Sequence, residues 1–311
     1  MESAPGSDRR LVSTGTPRWI RQIFNRESLT GWLFILPALV GFILFYLLPS
    51  IRAFQISFTD WNLLRPPRPV GLENYQNLFT DPNFWHALGL TGLYVLYNIP
   101  LQTVLALLLA VLMDRLVRSM FVRAVIILPY LLSSVVVALI FLWLLNPSLG
   151  YVNFVLEHLG LRRQPFFGSP DQALPTVAAV NIWKHMGVNA LLFYAGMQGI
   201  PKSLYEAASI DGASEGTMFW KITLPLLRPV TVFILVTSII GSFQIFDTVA
   251  VATGGGPAYS TRVIVWYIYE NAFQFFKMGY ATAMSVVLFI ILVIFTLVQM
   301  RLFRANQSDL A

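Results

Sequence analysis

The chain has 311 residues, of which 56% are hydrophobic and only 12% are charged, and its formal net charge is +6. A soluble domain has about 25% charged residues, so this composition excludes an ordinary soluble globular protein and indicates an integral membrane protein. In a membrane protein the positive charges determine the topology, so the net charge is no argument for nucleic-acid binding. The chain has no cysteine, which excludes disulfides and thiol chemistry.

Residues 1–30 are predominantly polar and basic and are predicted to be a cytoplasmic segment. No small-residue cleavage site follows the first apolar run, which predicts a retained helix and not a signal peptide. Within this segment, residues 18–24 (RWIRQIF) place apolar side chains on one helical face and arginines opposite. This pattern fits either a helix that lies on the inner leaflet or basic residues that only hold the first span's end on the cytoplasmic side.

Six apolar runs are long enough to cross a bilayer, which takes roughly 18 residues or more. Their approximate ranges are 31–49, 87–113, 124–145, 174–197, 229–246 and 278–300. A further apolar patch, 263–269, is too short to cross and is predicted to be a surface helix. The sequence therefore predicts an all-α integral membrane protein with a six-span domain over 31–302 and a cytoplasmic tail over 303–311.

Most of the arginines and lysines lie in the N-terminal segment, in the connections between spans 2 and 3 and between spans 4 and 5, and at the C-terminus. Because basic residues are retained on the cytoplasmic side, both termini and the connection between spans 4 and 5 are predicted to be cytoplasmic.

The fourth predicted span has polar residues on one helical face: Asn181, Lys184, His185 and Asn189. Polar groups inside a span are costly, so they normally face the bundle interior or a water-filled path. One hypothesis is that this face lines a translocation path in which the two asparagines or the histidine bond the hydroxyl groups of a sugar. The alternative is helix–helix contact, with the lysine snorkelling or pairing with a carboxylate.

Residues 203–222, after the fourth span, have mixed charge. Ser203 and Glu206 have the spacing of a capping box that begins a helix. Gly212 can take the left-handed conformation that ends one, and Ser214 can begin a second helix. The segment is therefore predicted to form two short helices joined by a glycine elbow. Because it is tied to a span at each end, it can transmit rigid-body motion, although an ordinary amphipathic connector has the same pattern.

Two further candidate groups follow the fifth span. Gln244 and Asp247 lie at its predicted external end, where they either line the path or form an ordinary polar terminus. The loop 253–261 (TGGGPAYST) is glycine-rich but lacks the Lys-Ser/Thr pair of a phosphate-binding loop.

The sequence has no recognisable catalytic apparatus. It contains no nucleotide-binding motif, its three histidines lack metal-ligand spacing, and no paired carboxylates or activated nucleophile can be identified. We therefore expect no catalytic residue, metal or cofactor in this chain, and any energy for transport must come from a partner.

The 203–222 segment resembles the EAA signature of ABC-importer permeases. The matching positions, at the family's spacing, are Glu206-Ala207-Ala208, Gly212, Ile222 and Leu224-Pro225. Stretches at 36–62, 71–88, 182–201, 246–261 and 279–285 resemble the carbohydrate-uptake, maltose-type subgroup, so the resemblance covers most of the chain. One departure is Leu90-Thr91, where relatives often have Asn-Thr.

The resemblance implies a type I ABC importer permease fold in a bacterial or archaeal cell membrane, with 203–222 as the coupling helix. Glu206 would contact a basic residue of an ATPase subunit, Ala207 and Ala208 would allow close docking, and Asp211-Gly212 would form the elbow. The implied partners are a second homologous permease, an ATPase dimer that carries ATP and Mg²⁺, an extracytoplasmic sugar-binding protein and membrane lipid.

The resemblance also implies a role for the external loop. This is the loop 253–261, and its tip consists of Gly254, Gly255, Gly256 and Pro257. The tip would either reach into the binding protein or act only as a hinge before the next helix. Sugars, polyols and glycerol phosphates all remain open as cargo.

Two other classes compete with a permease subunit. An ion-gradient-driven secondary transporter for a small polar solute would favour inverted repeats and an intramembrane carboxylate, and the predicted spans lack such a carboxylate. A membrane-embedded enzyme is disfavoured by the missing catalytic constellation.

Overall fold

A computed structural model of the chain describes residues 26–116 and 119–302. All regular elements in these ranges are helical, apart from an isolated bridge between Thr59 and Pro69. The predicted all-α class is therefore confirmed for the described residues. Residues 1–25, which include the 18–24 segment, and the tail 303–311 lie outside them.

The first part of the chain contains two of the long apolar helices and the helix that carries the predicted polar face. A π-helical turn, Ile43–Leu47, joins the first two helices. In chain order the helices are α1 Arg26–Phe42, α2 Leu48–Ile56, α3 Glu73–Thr80, α4 Pro82–Leu116, α5 Met120–Leu131, α6 Ser134–Leu144, α7 Tyr151–His158 and α8 Pro170–Gln198.

The second part alternates short and long helices. A π-helical turn at Phe219–Thr223 precedes the third of them, and another at Glu270–Gln274 follows the sixth. These helices are α9 Lys202–Ile210, α10 Glu215–Met218, α11 Leu224–Leu226, α12 Arg228–Phe243, α13 Asp247–Ala252, α14 Ile264–Tyr269 and α15 Met278–Leu302.

Four described helical segments are long and apolar enough to cross a membrane, and α5 with α6 makes a fifth if that bent pair is one span. The four are Thr30–Ile56, Pro82–Leu116, Arg228–Ala252 and Met278–Arg301. The helix α8 has sufficient length, 29 residues, but its polar side chains lower its apolar character. The described residues thus support four or five apolar spans, and a sixth depends on α8.

The third predicted span, 124–145, is not one helix. The helices α5 and α6 are bent by 93° at a break where Leu132 and Ser133 have extended ψ angles of 144° and 138°. Pro129 lies within α5, three residues before Leu132. Because the run is apolar on both sides of the break, composition alone did not reveal the bend.

The main internal contact is between α4 and α8, which pack along much of their length. Small buried side chains at Ala106, Ala110 and Ala190 lie in this region together with Met113 and Phe193. Alanine at a membrane helix interface lets two backbones approach closely. This packing holds the polar face of α8 next to α4 and α12.

The patch 263–269 is helical, as predicted, but it does not lie on the surface. In α14, Ile264, Trp266 and Tyr267 are buried, and the Ile264 amide donates to Thr91 Oγ1 of α4 at 2.8 Å. The prediction of a surface helix is therefore wrong, because this short helix packs into the bundle instead of lying along its outside.

Candidate functional site

A cavity of about 510 Å³ lies among α4, α5, α6, α8 and the α12–α13 region. Its size falls within the roughly 300–1,000 Å³ of small-molecule sites. Polar residues form much of its wall: Asn98, Gln102, Tyr130, Ser134, Asn181, His185, Asn189, Thr237, Ser238, Ser242, Gln244, Asp247 and Thr248. Polar groups are expensive in membrane-crossing helices, and their convergence on one cavity is typical of a solute or ion pathway.

The structure brings five of the six predicted path residues to this cavity: Asn181, His185, Asn189, Gln244 and Asp247. Those on α8 recur every four residues, so the helix places them on one face. Gln244 and Asp247 come from the turn between α12 and α13. Their proximity supports the path hypothesis, and the role of each residue stays a prediction.

Lys184 is not among the cavity-lining residues. It is buried in α8, and its Nζ donates to Ser134 Oγ of α6. Among the described residues it makes no ion pair with a carboxylate. The lysine therefore stands behind the wall of the cavity, linked to it through the serine.

The cavity wall is partly held by bonds between helices. Asn189 Nδ2 donates to Ser238 Oγ of α12 over 3.4 Å, and His185 Nδ1 lies 3.0 Å from the Asn181 carbonyl oxygen. The His185 ring also packs edge-on against Tyr130, with 5.7 Å between ring centroids. Thus α8 contributes both to helix contacts and to the cavity, and the two hypotheses for its polar face do not exclude each other.

The contribution of α4 to the cavity was not predicted from the sequence. Asn98 and Gln102 are almost fully buried in this helix and line the cavity, and Asn98 Nδ2 donates to Ser242 Oγ at 2.9 Å. A signal was available, since two amide side chains four residues apart interrupt an otherwise apolar span. Ser242 gave no such signal, because a lone serine in a span commonly bonds its own helix.

The 203–222 segment forms two short helical arms, as predicted, with a different start. The helix α9 begins at Lys202 after Pro201, and no side chain caps it, so the predicted capping box at Ser203 is wrong. Pro201 has extended backbone (φ −60°, ψ 129°) and itself occupies the capping position. The left-handed backbone of Gly212, with φ +76°, is confirmed.

The second arm is capped as expected but extends further. Ser214 Oγ accepts a hydrogen bond from the Thr217 amide at 3.3 Å. From there α10 continues through the π-helical turn into α11 and ends at Leu226. The second arm therefore passes residue 222, and Pro225 lies in α11, which directly follows the π-helical turn.

The arms are bonded to the helix bundle on one side and exposed on the other. Tyr205 Oη and Thr223 Oγ1, one on each arm, are 2.8 Å apart, and Arg115 of α4 forms a 2.8 Å ion pair with Glu215. The signature residues Glu206, Ala207, Asp211 and Gly212 are exposed and Ala208 is half-buried. The exposed side of the elbow is thus free to contact another protein.

The loop 253–261 is closed by its own hydrogen bonds. Thr261 Oγ1 lies 2.7 Å from both Thr253 Oγ1 and the Gly256 carbonyl oxygen, which share its single hydroxyl hydrogen. At the end of the loop, Arg262 and Glu270 form an ion pair at 2.5 Å with only 11% of each side chain exposed. Gly254, Gly255, Gly256 and Pro257 therefore belong to a compact turn anchored to the body of the protein.

No group of three or more histidine, aspartate or glutamate side chains in the part of the chain described by the structure could hold a metal ion.

Comparison with known proteins decides the class of membrane protein. Residues 102–308 match the family described as "binding-protein-dependent transport system inner membrane component". The chain belongs to this family. It is therefore a multi-pass inner membrane component of a transport system, and the match favours the ABC-importer permease over an ion-gradient-driven transporter.

Full-length relatives agree with this assignment. The chain is 36% identical to the sulfoquinovosyl glycerol transport system permease of Agrobacterium fabrum, covering 96% of this chain and 98% of the relative. It is 34% identical to the trehalose/maltose transport system permease of Thermococcus litoralis, covering 91% and 96%.

A solved structure is also similar. The chain matches a protein in the crystal structure of a bacterial alginate ABC transporter in complex with its alginate pentasaccharide-bound periplasmic protein. The TM-score is 0.78 with 26% identity, and the match covers 94% of this chain and 99% of the other. The described helices thus have the fold of an ABC-importer permease.

Proposed function

We propose that this permease is one of two membrane subunits of an ATP-driven importer and forms half of the path for a sugar or sugar-like solute. The observation that carries the proposal is the cavity, in which polar side chains from α4, α8 and α12 converge inside an otherwise apolar bundle. Relatives named for trehalose/maltose and sulfoquinovosyl glycerol transport support the sugar class.

The proposed topology has six spans with both termini in the cytoplasm. The bent α5–α6 pair is the third span, and α8 is the fourth. Placing α8 in the membrane is supported by its length, 29 residues, and by its packing against α4. Its polar residues then face the cavity or a neighbouring helix and not lipid, as intramembrane polar groups require.

The proposed assembly adds a second homologous permease, an ATPase dimer and an extracytoplasmic binding protein. ATP and Mg²⁺ would be bound by the ATPase, and this chain would have no catalytic residue. The similar alginate transporter, solved with its periplasmic protein bound, supports the last of these partners.

Coupling to the ATPase is assigned to residues 203–222. Glu206 is exposed and can meet a basic residue, while Ala207 and Ala208 add little bulk between two docking surfaces. The Tyr205–Thr223 bond and the Arg115–Glu215 ion pair connect the arms to each other and to α4. Motion imposed on the elbow would therefore reach the helices around the cavity, as alternating access requires.

The loop tip Gly254–Pro257 is assigned to contact with the binding protein. Its anchoring through Arg262 and Glu270 would hold the tip in a defined position instead of leaving it as a loose tether. A hinge before α14 is the weaker assignment, since the Arg262–Glu270 ion pair restrains the residues that join the loop to α14.

The experiment that tests the proposal replaces Asn181, His185 and Asn189 singly by leucine in the reconstituted four-component transporter. Uptake of radiolabelled cargo from the loaded binding protein should fall about tenfold or more per variant, the scale of one lost polar contact in a buried site. Co-purification of the ATPase should be unchanged. Gln299→Leu, at a buried glutamine of α15 away from the cavity, is the matched control, and undiminished uptake by all three variants would falsify the path assignment.

A further inference from the structure

The wall that α4 contributes to the cavity has two unusual carbonyl oxygens. Asn98 and Gln102 both line the cavity, and their relative exposures are 1% and 3%. Neither Asn98 Oδ1 nor Gln102 Oε1 has a hydrogen-bond partner among the described residues. Because they lie four residues apart on one helix, their side chains are neighbours on the same face.

Leaving such oxygens unpaired is unfavourable. A buried carbonyl that has lost its water and gained no donor bears the full cost of desolvation, and a bilayer supplies no water to replace the lost bonds. In the structure the Asn98 Nδ2 donates to Ser242 Oγ at 2.9 Å. That bond uses the donor side of the amide and leaves the oxygen as an acceptor.

We propose that Asn98 and Gln102 are specificity-determining residues that accept hydrogen bonds from two hydroxyl groups of the transported solute. This inference rests on the proposed function, because it assumes that solute enters the cavity. The Cβ atoms at positions i and i+4 are about 5–6 Å apart, so a single sugar or polyol with several hydroxyl groups along one edge can reach both side chains. The solute therefore presents a hydroxyl-bearing edge to α4.

The same chemistry limits how an acidic solute can be oriented. Phosphate, sulfonate and carboxylate oxygens accept hydrogen bonds when ionised, and two amide oxygens would repel them. An acidic sugar would therefore turn its anionic group away from α4 and keep its hydroxyl groups towards it. The pair selects for hydrogen-bond donors and does not select for charge.

The chain's lack of cysteine allows a direct test. Val188 also lines the cavity, so Val188→Cys introduces a single reporter thiol without removing a polar contact. In the assembled transporter in membrane vesicles, this thiol is labelled with a charged, water-soluble thiol reagent, and the labelling rate is read on this subunit alone. The probes are maltose and sn-glycerol 3-phosphate, which have hydroxyl donors, and sodium sulfate, which has only acceptors at neutral pH.

The decisive variants are made in the Val188→Cys background. Gln102→Met keeps the shape of the side chain and removes an oxygen that has no internal partner, so it should not impair folding. The matched control is Gln299→Met, because Gln299 Oε1 is equally buried and unpaired but is outside the cavity. Asn98→Leu is a supporting variant, because it removes both the Asn98 oxygen and the internal bond to Ser242.

We expect maltose or sn-glycerol 3-phosphate to slow labelling and sulfate to have no effect. The probe concentration that halves the labelling rate should rise roughly tenfold in Gln102→Met and in Asn98→Leu, and by much less in Gln299→Met. If the probes protect the reporter thiol of Gln102→Met and Asn98→Leu as well as that of Gln299→Met, the inference is overturned while the proposed function survives. If the thiol is not labelled, or neither hydroxylated probe protects it, the cavity is not a solute path and both fall together.

Discussion

At the scale of single residues, Asp81, which lies between α3 and α4, is bonded to α14 and to the start of α15. Its Oδ2 accepts hydrogen bonds from Tyr267 Oη at 2.6 Å and Tyr280 Oη at 2.7 Å. Partial burial alone would raise the pKa of the Asp81 carboxyl, but these two bonds and those from the Asn83 and Phe84 amides together outweigh it, and the pKa lies below its usual value. Burial and the neighbouring carboxylate raise the pKa of Tyr267 to about 12, so the phenol stays protonated and donates.

The lowered pKa of Asp81 predicts a pH-dependent contribution to stability. The contribution is complete above the pKa of the unfolded carboxyl, about 3.9, and is lost as pH falls through the lower, folded value. At neutral pH, Asp81→Asn should lower the free energy of unfolding by about 1–3 kcal/mol, measured by denaturation of the purified protein.

The difference between wild type and Asp81→Asn should narrow as the pH is lowered towards the folded pKa. Asp60→Asn is the control, because Asp60 is exposed and accepts a single bond from the Arg68 amide, and it should change stability by less than about 0.5 kcal/mol. Equal destabilisation by both substitutions would contradict the role of the Asp81 carboxylate in linking Tyr267 and Tyr280.

At the scale of helices, the contact between α8 and α5 depends on a glycine. A Cβ added at Gly187 would lie 2.0 Å from the Ile126 carbonyl oxygen, which is backbone and cannot rotate away. The same turn of α8 contains His185 and Val188 of the cavity wall. The close approach of the two helices therefore positions part of the cavity.

Gly187→Ala should force α8 and α5 apart and destabilise the protein by about 1–3 kcal/mol, as overpacking of a close contact does. It should also reduce the yield of assembled transporter, measured by size-exclusion chromatography. Gly92→Ala in α4 is the matched control, since nothing lies within 4 Å of its added Cβ, and it should be neutral or stabilising by up to about 1 kcal/mol. A well-assembled Gly187→Ala protein with wild-type stability would refute the close contact.

At the scale of the whole molecule, the cavity and the 203–222 elbow are linked through named contacts. Gln198, at the end of α8, donates to Asp114 Oδ1 of α4 at 2.6 Å, and the next residue of α4, Arg115, pairs with Glu215 of the second arm. Each bond is near the surface and contributes little to stability by itself. Together they provide a physical route by which a push on the elbow can move α4 and α8.

Glu206→Ala and Gly212→Pro should each reduce ATPase co-purification or uncouple ATP hydrolysis from uptake in proteoliposomes, while the subunit still inserts. The first removes the exposed charge at the docking surface. The second cannot adopt the φ of +76° that Gly212 requires, because proline is confined to φ near −65°.

The matched controls for these two variants lie elsewhere on the chain. Glu157 is an exposed, ion-paired glutamate, and Gly160 has nearly the same backbone angle, φ +75°. Glu157→Ala and Gly160→Pro should leave partner binding and coupling unchanged. If Glu206→Ala and Gly212→Pro behave like these controls, residues 203–222 are an ordinary connector.

Features that depend on local chemistry could be read from the sequence. Helical periodicity alone places Asn181, His185 and Asn189 on one face of α8, and steric freedom alone favours the left-handed turn at Gly212. The apolar runs likewise indicated membrane helices without any knowledge of their neighbours. The capping box failed even at this level, because Pro201 took the capping position that Ser203 was expected to fill.

Only the tertiary structure decided what the polar faces meet. Asn98 and Ser242 bond across 144 positions of the chain, Lys184 reaches a serine of α6 instead of a carboxylate, and a 93° bend divides a run that is apolar throughout. These outcomes depend on how helices pack, and packing joins residues that no local pattern relates. The sequence by itself determined the helices, the family signature and the polar face of α8, whereas the cavity and its wall from α4 exist only once distant helices are brought together.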